Sequence, residues 1–298
     1  MYTSRITRAA PSAFVLLVDQ SGSMRERVVF NGIDMTKAEA VALATNTLLA
    51  ELVSRSRRED GVRDYFEVAV IGYGGRGVYP LLGLKSAATP IDMLSVSRLA
   101  VMNIPIRNYM RERLLPDGRS IITTWPRKFW VEPYAEGGTP MLKAMETAYG
   151  LLRKWCNAAG HKSSFPPVVI NITDGEATDA FDAQLLEAAA RLRSLSTSDG
   201  NALLLNIHIT TGGAGVPILF PERAAEMSET GYGRLLFEMS SPLPACYNAV
   251  IAALKDRGEG AAISAAGEAL YRGMSYNCPI ADLLVMISIG TVSVNLIQ

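Results

Sequence analysis

The stretch AFVLLVDQSGSM, residues 13–24, opens as an unbroken apolar run and closes on Asp19, Ser21 and Ser23, oxygen-bearing side chains at alternate positions. A half-buried strand alternates apolar and polar residues. A strand covered by helices on both faces reads as a continuous Val/Ile/Leu run. Three more runs of this kind follow: FEVAVIGY (66–73), PVVINIT (167–173) and ALLLNIHI (202–209).

Helical patterns lie between them. TKAEAVALATNTLLAELVSR (36–55) opens with Thr36 and Glu39 in capping-box spacing and carries Ala38, Val41, Thr45, Leu48 and Leu52 along one face. TPMLKAMETAYGLLRKW (139–155) begins with Thr139 as a cap and Pro140 in the first turn, and stacks Met141, Met145, Ala148 and Leu152. DAFDAQLLEAAARLRSL (179–195) follows, with Asp179 as its expected N-cap rather than a ligand. Strands alternating with helices predict an α/β fold, a Rossmann-like doubly wound and mostly parallel sheet flanked by helices.

The 298 residues are read as a single domain, 1–298, with an insertion at about 85–136 and a C-terminal extension at about 259–298 packed on the same domain. Within the insertion, ATPIDMLSVSRLAVM reads as a short helix and LLPDGRSIITTW as extended segments around a Pro-Asp-Gly turn. Trp125, Trp130 and Tyr134 are expected to pack the insertion onto the domain. The tail reads as loose up to NCPIADLLVMISIG, where Pro279 starts a helix with Ile280, Leu283, Leu284 and Ile287 on one face and Gly290 at its end.

The 29 basic and 29 acidic residues balance, so no global field steers the chain to nucleic acid or to an anionic membrane. Cys156, Cys246 and Cys278 form no CxxC pair, which excludes a thiolate zinc motif and suggests a reducing compartment. No apolar run reaches the ~18–20 residues of a membrane span, and no signal-peptide pattern precedes the first strand. A cytoplasmic protein is expected.

In an open α/β sheet, ligands bind outside the carboxyl ends of the strands. Asp19, Ser21 and Ser23 end the first strand. EGGTPM (136–141) and ITDGEATD (172–179) are expected at the same edge, bringing Thr139 and Asp174. Two carboxylates and three hydroxyls, with no His or Cys, form a hard-oxygen donor set for a hard cation. So few carboxylates favour Mg2+, which keeps its waters, over a calcium cage, with Mn2+ or Ca2+ able to substitute. Glu176 is expected to be solvated, His208 to be a satisfied core histidine, and His161 to sit in an exposed loop.

DQSGSM, GGTP and TDGE together resemble the three signature loops of the von Willebrand factor type A (vWA) domain and its metal-ion-dependent adhesion site. The resemblance spans Phe14 to about Lys255. It implies a metal with one position open to an acidic side chain of a partner. It also implies that Ser21 and Ser23 bind the metal directly, Thr139 directly or through water, and Asp19 and Asp174 largely through water. TDGEATD is more similar to intracellular bacterial members, the TerY-like proteins of tellurite-resistance loci. That implies a stress-response or signalling assembly, with a kinase, phosphatase or ATPase as partner.

An enzyme is not expected. A metal-dependent phosphatase or hydrolase of Rossmann-like fold is the alternative, yet a haloacid-dehalogenase-type enzyme wants a second acid where Ser21 stands. There is no P-loop and no GxSxG elbow, and neither histidine is expected near the three loops.

Overall fold

In the computed structural model, which describes residues 2–30, 32–83, 90–114, 118–210, 216–227, 231–255, 271–280 and 283–284, the chain builds its core around one eight-stranded sheet. Strand β1 (Ser12–Gln20) leads through a hairpin, β2 (Arg27–Phe30) and β3 (Ile33–Thr36), to helix α1 (Lys37–Arg55). β4 (Phe66–Gly74) turns back as β5 (Gly77–Pro80). Next come α2 (Val96–Val101), a second hairpin of β6 (Ile106–Leu114) and β7 (Ser120–Lys128), and α3 (Met141–Asn157). β8 (Val168–Thr173), α4 (Asp182–Ser194), β9 (Leu203–Thr210), β10 (Ile218–Leu219), α5 (Gly231–Met239), α6 (Asn248–Lys255) and β11 (Met274–Pro279) complete the order.

The strands lie β10-β11-β9-β8-β1-β4-β5, with the short strand Leu94–Ser95 also paired to β4. β11, β9, β8, β1 and β4 run parallel, and only the marginal strands are antiparallel. The fold is therefore a Rossmann-like, doubly wound sheet. α1 follows β1 on one face and α4 follows β8 on the other, so the crevice between β1 and β8 is the topological switch point.

All nine residues of β1 are buried. Phe14, Leu16 and Val18 join the core under α1 and α6, while Ala13, Val15 and Leu17 join the core under α3, α4 and α5. Two-sided burial explains the continuous apolar runs, each large aliphatic side chain contributing about 1.5–3 kcal/mol. The stripes expected on α1 and α3 are buried as well.

Polar atoms also cross the core. Tyr73 Oη donates to Asn171 Oδ1 (2.8 Å), Asn171 Nδ2 to Asn206 Oδ1 (3.0 Å), and Asn206 Nδ2 to Ser240 Oγ (2.9 Å). This ladder ties β4, β8, β9 and the end of α5 in one register, because a slipped strand would leave buried amides unpaired.

Several readings change. The helix expected over residues 88–102 is confined to Val96–Val101, because Leu94–Ser95 is drawn into pairing with β4. Residues 84–89 lie outside the described residues. The tail before Pro279 is not loose: Met274–Pro279 forms a parallel strand beside β9, with a bulge between Ile207 and Ile209 and a positive φ at Asn277. Pro279 ends this strand. Ile280 and Leu283 are buried and Leu284 packs beside them, while Ile287 and Gly290 lie outside the described residues.

Thr139 does not cap α3 with its side chain. The first-turn amides of Leu142 and Lys143 instead donate to the two carboxylate oxygens of Asp179 (3.1 Å each), so Asp179 caps α3 across space rather than α4. His161 is not in an open loop, since it stacks on Trp155 (4.2 Å) with Nε2 3.3 Å from Glu67. Trp130 is buried and donates to the Leu99 carbonyl (3.1 Å), whereas Trp125, on the second hairpin, is 49% exposed.

Candidate metal site

The three loops meet at the switch point through backbone hydrogen bonds. Gly22 N donates to Gly137 O (2.8 Å), Glu136 N to Gln20 O (2.8 Å), and Gly75 N to Glu136 O (2.5 Å). Gly137 has φ +71°, and a Cβ there would lie 2.5 Å from the Cα of Gly75, so two bare backbones are needed for this approach. Thr178 and Thr139 hold the other pair of loops together: Thr178 N donates to Thr139 O (3.0 Å) and Thr139 N to Thr178 Oγ1 (2.9 Å).

Four of the five expected ligands join directly in one hydrogen-bonded chain. Ser21 N donates to Asp19 Oδ1 (2.8 Å), Ser21 Oγ and Ser23 Oγ share a hydrogen bond (3.1 Å), and Ser23 Oγ donates to Asp174 Oδ1 (2.6 Å). Thr139 is buried and enters through its loop rather than through a side-chain bond to the other four. Oxygens bound side by side at about 2.1 Å around an octahedral cation stand about 3 Å apart. The oxygens of Ser21 and Ser23, and of Ser23 and Asp174, stand close to that spacing, so this part of the donor set fits a small hard cation.

Asp19 is 1% exposed, and burial pushes its carboxyl up to about 6, opposed by hydrogen bonds from Ser21 and from Thr173 Oγ1 (2.8 Å). The charge of Asp174 adds to the rise. A buried carboxylate held at such cost favours a nearby positive charge. Among the described residues no three His, Cys, Asp or Glu side chains group as a metal site, so the hydroxyls are indispensable to this reading.

Sequence reasoning missed two groups, Lys37 and Tyr232. Lys37, the first residue of α1, has a side chain 5% exposed, with Nζ 3.0 Å from Asp174 Oδ2 and 2.6 Å from Glu26 Oε2. The Asp174 side chain is fully buried between Lys37 and Ser23. A lysine straight after a capping threonine reads as surface, and no local signal marks its burial. Tyr232 of α5 donates to Gly175 O (2.5 Å) and pins the TDGE loop.

His208 corrects an expectation. It pairs in register with Thr173, next to Asp174, so one histidine does border the site. It is stacked on Tyr276 (4.6 Å), its Nδ1 accepts from Asn277 N (3.3 Å), and burial pushes it down to about 4. It is neutral at pH 7 and a weak base. Glu176 is exposed, as expected.

No protein-family model and no curated protein matches the chain. Among solved structures it is similar to a von Willebrand factor type A protein from Catenulispora acidiphila: 19% identity, TM-score 0.40, 67% of this chain and 34% of that one. The chain thus spans about a third of that protein's length. It is also similar to the vWF domain of the type V pili tip protein Mfa5 from Porphyromonas gingivalis, at 10% identity and TM-score 0.43 over 97% of both chains. Among the described residues no helix is long and apolar enough to cross a membrane.

Proposed function

We propose that this chain is a vWA-type protein-binding module that captures an acidic side chain of a partner through a divalent cation, Mg2+ by preference. The observation that carries the reading is the Ser21–Ser23–Asp174 oxygen chain beside the buried carboxylate of Asp19. Ser21, Ser23 and Thr139 would hold the cation with Asp19 and Asp174, and the cation would supply the positive charge that receives an Asp or Glu. With only two carboxylates in the set, a divalent ion stays electrophilic toward a third.

The residues of this chain have separable tasks. Thr173 and the Ser21 amide orient Asp19, Gly22 and Gly137 lock the first loop to the second, and Tyr232 fixes the third. Placement among intracellular, TerY-like assemblies with a kinase, phosphatase or ATPase partner is supported by the resemblance of TDGEATD.

The test is capture of a partner in Mg2+, in chelator, and with Ser21→Ala and Thr139→Ala. Capture is expected to vanish in chelator and in both variants while the folded spectrum stays unchanged, and to vanish when one acid of the partner becomes Asn or Gln. Capture that persists in chelator overturns the reading. Metal-dependent turnover of a phosphoester that is lost with Asp19→Asn would install the hydrolase alternative.

A further inference from the structure

We propose that Lys37 is a built-in counter-ion that competes with the divalent cation for Asp174 and so sets how tightly the site holds metal. The inference rests on the metal reading above and concerns a residue outside the donor set. Asp174 splits its carboxylate between two partners: Oδ1 accepts from Ser23 Oγ (2.6 Å), on the donor side, and Oδ2 meets Lys37 Nζ (3.0 Å). The ammonium is itself held at 2.6 Å by Glu26 Oε2, and its backbone N donates to Glu26 O (2.9 Å). Both ends of Lys37 are thus fixed, and its side chain is 5% exposed.

Position makes the arrangement informative. Lys37 opens α1, where the helix dipole disfavours a cation, and burial disfavours it further. Among the described residues, the carboxylates of Glu26 and Asp174 offset those costs. A divalent ion drawn to Asp174 from the Ser23 side finds that carboxylate already half neutralised, with a positive charge across it. Like charges this close, at an effective dielectric of about 20, change an equilibrium constant by well over about tenfold.

Two consequences follow, and they oppose each other. Removing the ammonium leaves a fully buried carboxylate without a counter-charge, so the metal-free protein loses stability. The same change leaves Asp174 free for the cation, so metal affinity rises. A side chain with a merely structural role would lower both.

The experiment is calorimetric titration of the full chain with Mg2+ and with Mn2+, alongside thermal melts in chelator and in saturating Mg2+. The variants are Lys37→Met, which keeps length without charge, Lys37→Gln as a polar substitute should the Met variant fail to fold, and Lys37→Arg, which keeps the charge. Expected is a dissociation constant at least about tenfold lower for Lys37→Met or Lys37→Gln and wild-type affinity for Lys37→Arg. The melting point of Lys37→Met should fall in chelator and recover in Mg2+. If wild type binds metal and the folded neutral variants bind no tighter, the competition is overturned while the metal site stands. If neither wild type nor a folded neutral variant binds either ion, the metal reading falls and takes this inference with it.

Discussion

Asp19→Asn should stabilise the metal-free protein, although it removes a ligand. Burial raises the Asp19 carboxyl from 3.8 to about 6. A folded-state pKa above the unfolded value means that the contribution is present in full below 3.8 and is lost as pH rises through 6. The penalty on wild type grows from roughly 0.5 kcal/mol at pH 4 to about 3 kcal/mol at pH 7. Asparagine does not titrate and escapes it.

The site can also accept the amide. Oδ1 still takes the Ser21 N–H, and Nδ2 can donate to Thr173 Oγ1, whose own hydrogen already has a second acceptor at the Gly175 carbonyl (2.9 Å). Allowing for imperfect geometry, the variant should gain about 1–3 kcal/mol at pH 7.5 and little at pH 4. Urea unfolding in chelator across that pH range measures the difference directly. A difference that stays flat with pH, or an Asn variant less stable at pH 7.5, would refute the argument that burial of charge dominates at Asp19.

Magnesium at ten times its dissociation constant should add about 1.4 kcal/mol to wild type by mass action and nothing to Asp19→Asn, as read by melting from chelated protein. Asn171→Ala should cost about 1–3 kcal/mol in denaturant unfolding, because it strands Asn206 Oδ1 in the core and leaves the Tyr73 hydroxyl its longer bond to Ile172 O (3.2 Å). A loss below 1 kcal/mol would mean that the ladder does not hold register. Asp179→Ala should cost about 1 kcal/mol through α3 while leaving metal affinity unchanged, whereas a drop in affinity would make it a ligand. Leu283→Ala should cost about 2–5 kcal/mol if the buried residues after β11 belong to the cooperative core, and unchanged stability would set them outside it.

The inner strands were legible because their environment is written into them. Phe14–Val18 and Val168–Ile172 face helices on both sides, and apolar residues fill these positions except at Asn171, which the ladder pairs. β11 was not legible. MSYNCP carries no apolar run, and its Met274 and Cys278 are buried by neighbours that are distant in sequence. The site divides the same way. Asp19, Ser21, Ser23, Thr139 and Asp174 sit at strand ends and glycine turns that sequence marks plainly. Asp179 looks like a local cap for α4, yet it serves α3 because loop packing brings it there. Lys37 and His208 acquire their roles only from residues across the sheet end, Asp174 among them.

The charge arrangement bears on what a cation would do here. A zinc finger has no fold to lose until the metal binds, so metal affinity and folding are one quantity. This chain rests on two apolar cores and a hydrogen-bonded ladder, and its costliest carboxylates have partners of their own: Thr173 and Ser21 on Asp19, Lys37 and Ser23 on Asp174. Folding therefore does not wait for metal. At Asp174 a cation would exchange with an internal partner, so its net gain there is small and reversible. Weak, exchangeable occupancy suits a site whose electrophile must be open to a partner's carboxylate, since a cation fully satisfied by the protein would have little left to offer.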